Sequence, residues 1–135
     1  MKKELAKFED WKFKKPNIAS IVAQIEKKTE AFKAASTPAE ALKAYKAMSK
    51  LMDKVHDDMC LVYVLFSLDT RVKEYQKAME VVDNGMPIIS AAYQPFEKAM
   101  LNSPFRPYLE EKLGTFIFTM LEWRLKCFEK RITEE

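Results

Sequence analysis

The chain has 135 residues and a net charge of +3, with 48% hydrophobic and 32% charged residues, a balance that fits one folded domain and excludes a disordered or fibrous chain. So small a charge, with acids and bases interleaved, leaves no electrostatic footprint for nucleic acid. Only two glycines occur, which leaves few tight turns for hairpins, and the abundant Met, Leu, Ala, Glu and Lys favour helices.

Residues 1–16 read as an N-terminal arm. Met1 to Lys7 contain no apolar core of a signal peptide, and nowhere does the chain run to about 18 consecutive apolar residues, so no membrane span or membrane partner is expected. Phe8, Trp11 and Phe13 alternate with Lys12, Lys14 and Lys15, a pattern that suits stacking on bases. Glu4, Glu9 and Asp10 share the segment, so the expected role is pinning the arm to the body, with no nucleic-acid partner.

Residues 17–135 read as one helical domain. Asn17 is a cap, and Ile18, Ile21, Val22, Ile25 and Phe32 follow at helical spacing as far as about Ala35-Ser36. Thr37-Pro38-Ala39-Glu40 is a capping box: Thr37 accepts from the Glu40 amide, Glu40 reaches back to Thr37, and Pro38 takes the first helical position. The second helix runs through Leu42, Tyr45, Met48, Met52, Val55, Met59, Val62 and Phe66. Cys60 to Leu68 are nearly all apolar, so that end is expected to be buried on every side. Asp69 or Thr70 then caps a third helix through Arg71, Tyr75, Met79 and Val82. Asp83-Asn84-Gly85-Met86-Pro87 reads as a bend in that helix, with a turn as the alternative, and Pro95 as a second bend. Ser103 caps a short helix with Pro104 first, Glu110 and Glu111 in its early turns and Gly114 at its end. Thr115 opens a last helix through Phe118, Leu121, Leu125 and Phe128. The fold class expected is all-α, an up-and-down bundle of four to five long antiparallel helices, one bent near Pro87.

The chemistry is sparse. His56 is the only histidine, and HExxH needs two on one helix face. His56-Asp57-Asp58 is a suggestive string, but neighbours in a helix point different ways, so His56 reads as a structural or surface residue. There is no phosphate loop and no nucleophile elbow. No catalytic residue and no metal ligand is assigned, and no cofactor is expected in this chain. Cys60 and Cys127 lack CxxC spacing and read as buried or half-buried thiols of a reducing compartment, hence a cytoplasmic protein. The eight methionines read as core, or alternatively as a groove through which a free-standing helical adaptor binds a protein partner. Asp69-Thr70-Arg71 has two readings, a cap with a surface ion pair or an arginine aimed into a groove or interface.

Several segments together carry a family resemblance. Ser67-Leu68-Asp69-Thr70-Arg71-Val72-Lys73-Glu74-Tyr75 resembles the "S-I-D-T-R-D-x-F-Y" segment of the M3 family of zinc oligoendopeptidases, the oligoendopeptidase F type. Leu101-Asn102-Ser103-Pro104-Phe105-Arg106 with Leu109-Glu110-Glu111-Lys112-Leu113-Gly114 resembles its "L-N-S-P-F-R…L-E-E-x-x-G", Phe8-Glu9-Asp10-Trp11 through Lys15-Pro16-Asn17 its "F-x-D-Y…R-P-D", and Asp83 to Pro87 its "E-N-x-P". Lys15, Asn17 and Val72 depart from the family's arginine and two aspartates. The resemblance covers essentially the whole chain and implies the N-terminal helical domain of a larger peptidase that uses zinc to hydrolyse short peptides. The family's HExxH helix lies several hundred residues further on, so these 135 residues are expected to be a piece of that enzyme or a truncated homologue. Its partners would then be the catalytic domain of the same polypeptide and the parent's peptide substrates. Within the two best-matched segments, Arg71, Tyr75, Asn102 and Arg106 are the candidates for groove or interface contacts.

Overall fold

The structure, a computed structural model, describes residues 16–134. Phe8 to Lys15, which carry the arm motif, lie outside the described residues. Five helices follow one another: α1 (Ile18–Lys33), α2 (Pro38–Leu68), α3 (Lys73–Leu101), α4 (Arg106–Leu113) and α5 (Thr115–Glu134). No strand occurs among the described residues, and the fold is an all-α helical bundle. α1 packs against both α2 and α3, α2 against α3, α4 against α2 and α5, and α5 against α3.

The apolar periodicity becomes the core. Ala41, Met48, Val55 and Val62 are buried on α2, each seven residues from the last, a spacing that keeps one seam facing the neighbouring helices. α3 contributes Ala78, Val82, Ile89, Phe96 and Met100 to the same core, and α1 contributes Ile25 and Phe32. Each fully buried Val, Ile, Met or Phe side chain stabilises the fold by about 1.5–3 kcal/mol. Phe96 sits at the centre, with ring centroids at 5.2 Å from Phe32, 5.4 Å from Tyr93 and 6.4 Å from Tyr45. Gly85 falls on the buried stripe of α3. A Cβ there would lie 2.6 Å from Ile18 Cγ1, so the missing side chain lets α1 start against α3.

The segment from Asp83 to Pro87 is neither a break nor a turn, because α3 runs through it and through Pro95 without interruption. Each proline removes one N–H from the ladder, at the carbonyls of Asp83 and Ala91, and both residues are exposed, so water satisfies what the helix cannot.

Asn17 Oδ1 accepts from the Ser20 amide at 3.0 Å, and Thr37 Oγ1 from the Glu40 amide at 3.2 Å. Glu40 reaches one residue further back than the box requires, accepting from the amide and hydroxyl of Ser36 at 2.9 and 3.0 Å. Two expected caps fall elsewhere. Asp69 closes α2 instead of opening α3. Its carboxylate accepts from the Arg71 amide at 3.0 Å, and α3 starts from Val72 with no side-chain cap. Ser103 Oγ accepts from the Phe105 amide at 3.1 Å and closes a turn, and α4 starts three residues later. Pro107 explains the delay. A helix capped by Ser103 would put Pro107 fourth, where its N–H must make the first helical bond; starting at Arg106 puts it second, where no bond is lost. Gly114, at φ 90°, links α4 to α5 in a single residue, in a conformation that favours glycine.

Candidate functional site

The expectation that Cys60 to Leu68 are buried on all sides does not hold. Tyr63, Val64 and Leu68 are exposed, Leu68 to 71%, because that stretch is the C-terminal end of α2 and only Val62 turns fully inward. Cys60 and Cys127 are both free and exposed, contrary to the buried or half-buried thiols expected. His56 lies in solvent, with its ring nitrogens at 3.6 and 3.8 Å from Cys60 Sγ one helical turn on. Among the described residues no group of three or more His, Cys, Asp or Glu is placed to hold a metal ion. No helix among the described residues is long and apolar enough to cross a membrane.

The four sequence candidates do not converge. Arg71 and Tyr75 sit at the start of α3, and Asn102 and Arg106 just beyond its end. A helix of 29 residues separates the two pairs by about 43 Å. The Arg71 side chain is 90% exposed and its Nε donates to Asp69 Oδ1 at 3.1 Å, a local ion pair in water. Tyr75 is half-buried and Asn102 exposed. Arg106 is engaged inside the domain. Its Nε donates to Glu110 Oε1 at 2.9 Å, its Nη1 to the Leu101 carbonyl at 3.3 Å and its Nη2 to Glu122 Oε1 at 2.6 Å. The guanidinium also lies 5.2 Å from the Phe118 ring centroid. Arg106 thus ties the end of α3 to α4 and α5.

One concavity among the described residues lies away from all four candidates. A groove of about 780 Å³ runs between α3 and α5. Met86, Ser90 and Gln94 line one wall at helical spacing, and Met120, Trp123 and Cys127 the other. Trp123 is 67% exposed, and Met86, Met120 and Phe128 are also uncovered. At depth lies Glu97, 1% exposed, with Arg124 Nη2 at 3.4 Å. Burial pushes the Glu97 carboxyl above its ordinary range and Arg124 partly offsets this. Chemically the groove offers apolar contact and one buried acceptor. It carries no nucleophile–base pair. The signal in the sequence was a second stripe on α3, offset by about one residue from the core stripe, that ends on a glutamate.

Residues 8–128 match the profile of the peptidase M3 N-terminal domain. The chain belongs to the peptidase M3 N-terminal domain family. Solved structures agree with that. A PZ peptidase A determined with an inhibitor is 26% identical with a TM-score of 0.80, over 85% of this chain and 20% of its own. An oligoendopeptidase F is 25% identical with a TM-score of 0.83, over 88% and 21%. An oligoendopeptidase F from Bacillus anthracis strain Ames, 24% identical, shows the same fold with a TM-score of 0.79 over 84% and 21%. No curated protein matches the chain. The M3 N-terminal domain described here therefore spans about one fifth of the length of the solved chains it resembles.

Proposed function

We propose that this M3 N-terminal domain is a non-catalytic scaffold of an oligoendopeptidase F-type enzyme, packed against the catalytic domain of the same polypeptide and walling the channel through which short peptides reach a zinc centre. The observation that carries the reading is the profile match over residues 8–128, together with solved relatives in which the same fold is one fifth of the chain. The parent would work in the cytoplasm, where exposed Cys60 and Cys127 stay reduced. Zinc would be held by residues outside these 135, since one histidine cannot supply HExxH.

Uncovered apolar surface supports a packed domain over a free-standing one. Exposed hydrophobics gather on the α3–α5 groove and at the end of α2, and such patches mark interfaces. The adaptor alternative rests on few of the methionines: Met48, Met59 and Met100 are buried, Met52 and Met79 pack on the core, and of the described methionines only Met86 and Met120 line the α3–α5 groove. The reading frame beyond Glu135 tests the proposal, which requires it to continue to an HExxH helix. The purified 135-residue chain should cleave no quenched fluorescent peptide and hold no equimolar zinc by elemental analysis. Equimolar zinc, or a stop codon before any HExxH, would sink it.

A further inference from the structure

The α3–α5 groove ends on a carboxylate with no donor. Glu97 is 1% exposed, and neither of its oxygens has a hydrogen-bond partner among the described residues. Arg124 Nη2, 3.4 Å from Oε1, supplies charge attraction without a hydrogen bond, and most of that side chain stands in solvent. Folded domains seldom leave a buried carboxylate so poorly matched. Its surroundings are apolar and uncovered, with Met86 and Met120 on opposite walls and the Trp123 indole at the rim. A basic side chain has the complementary form, an apolar stem and a cationic head that also favours an aromatic face.

We infer that the groove docks an arginine or lysine side chain carried on an apolar segment of the longer polypeptide, with its cationic head on Glu97 and its apolar neighbours on Met86, Met120 and Trp123. This rests on the reading that the domain works inside an M3 peptidase. Two observations choose the occupant: charge complementarity at Glu97, and the remaining length of the solved relatives, in which this fold covers 20–21% of the chain. Both Glu97 oxygens are buried, so the incoming head takes the place of the Arg124 guanidinium, which makes no hydrogen bond to them and stands largely in solvent.

The 135-residue chain itself carries the test. A Trp11→Phe variant leaves Trp123 as the sole tryptophan of the two, so its fluorescence reports on the groove. The probes are a blocked Leu-Arg-Phe tripeptide amide and its neutral citrulline counterpart of nearly the same shape. The arginine peptide should give a saturable response, and the citrulline peptide should bind about tenfold more weakly, which is about 1.4 kcal/mol. Glu97→Gln should abolish that preference while thermal melting stays cooperative, and the citrulline comparison needs no variant at Glu97. Equal affinity for the two peptides, no saturable response, or a preference that survives Glu97→Gln overturns the inference. A groove indifferent to charge in a chain whose frame continues to HExxH refutes the docking and leaves the domain reading standing. A cation-selective groove in a chain whose frame stops refutes that reading and the assigned occupant together.

Discussion

Burial raises the pKa of Glu97 above the ordinary carboxylate value, and the nearby Arg124 guanidinium pulls it partly back. Tyr93 is pushed up to about 12 by burial, with Glu97 adding to the effect. A raised carboxyl pKa means that the unfolded chain releases this proton before the folded one does. The contribution of Glu97 is therefore most favourable at low pH and is lost as pH rises from the carboxylate range through the raised value. Glu97→Gln should unfold at higher urea than the parent at neutral pH, and the gap should narrow towards acid. A gap of constant size across that range would contradict the assignment. Glu40 has the opposite sign: the Ser36 amide and hydroxyl hold its carboxyl below the usual range, so its contribution is present above that range and fades in acid. The difference between parent and Glu97→Gln isolates Glu97 from this background. Little of this was legible in the sequence. A glutamate one residue past Phe96 reads as a solvated face, and only the position of α5 places it under Arg124.

Capping is local, and at the start of α2 it was legible. Thr37 and Glu40 are three residues apart, and the chain between them has one short path to take. Thr37→Ala should cost about 1 kcal/mol in chemical denaturation and Thr37→Ser almost nothing; an alanine variant as stable as the parent would show that the α2 start is held by packing alone. Ser103 illustrates the opposite outcome. It is as good a cap by composition as Thr37, yet a proline four positions on excludes the register. That signal was present in the sequence as Pro107. Asp69 failed as a cap for another reason, since its carboxylate is held by Arg71. The unbroken α3 follows from the exposed side on which Pro87 and Pro95 lie, where lost helical bonds are replaced by water.

Across the whole molecule, Arg106 joins three helices with side-chain bonds to Glu110 and Glu122 and a bond to the Leu101 carbonyl. Lysine keeps the charge but cannot reproduce the planar fork. With about a third of the side chain exposed, solvent screens part of each pair, so Arg106→Lys should cost about 1 kcal/mol and Arg106→Ala about 2 kcal/mol. Arg71→Ala, whose side chain stands in water, should change stability by less than about 0.5 kcal/mol. Urea melts of the three variants check the order, and a larger loss at Arg71 than at Arg106 would reverse the roles assigned to the two arginines.

The sequence by itself determined the helical class, the start of α2, the stop at Gly114 and the family likeness, because periodicity, caps and short motifs are properties of neighbouring residues. It also ruled out a zinc centre of the HExxH type, since one histidine is a matter of counting. Only the tertiary structure decided that the apolar end of α2 is exposed, that Arg71 and Arg106 lie at opposite ends of α3, and that Met86, Glu97 and Trp123 share one groove. Those facts depend on which helix faces are covered by residues far away in the chain, and local pattern carries no information about distant cover.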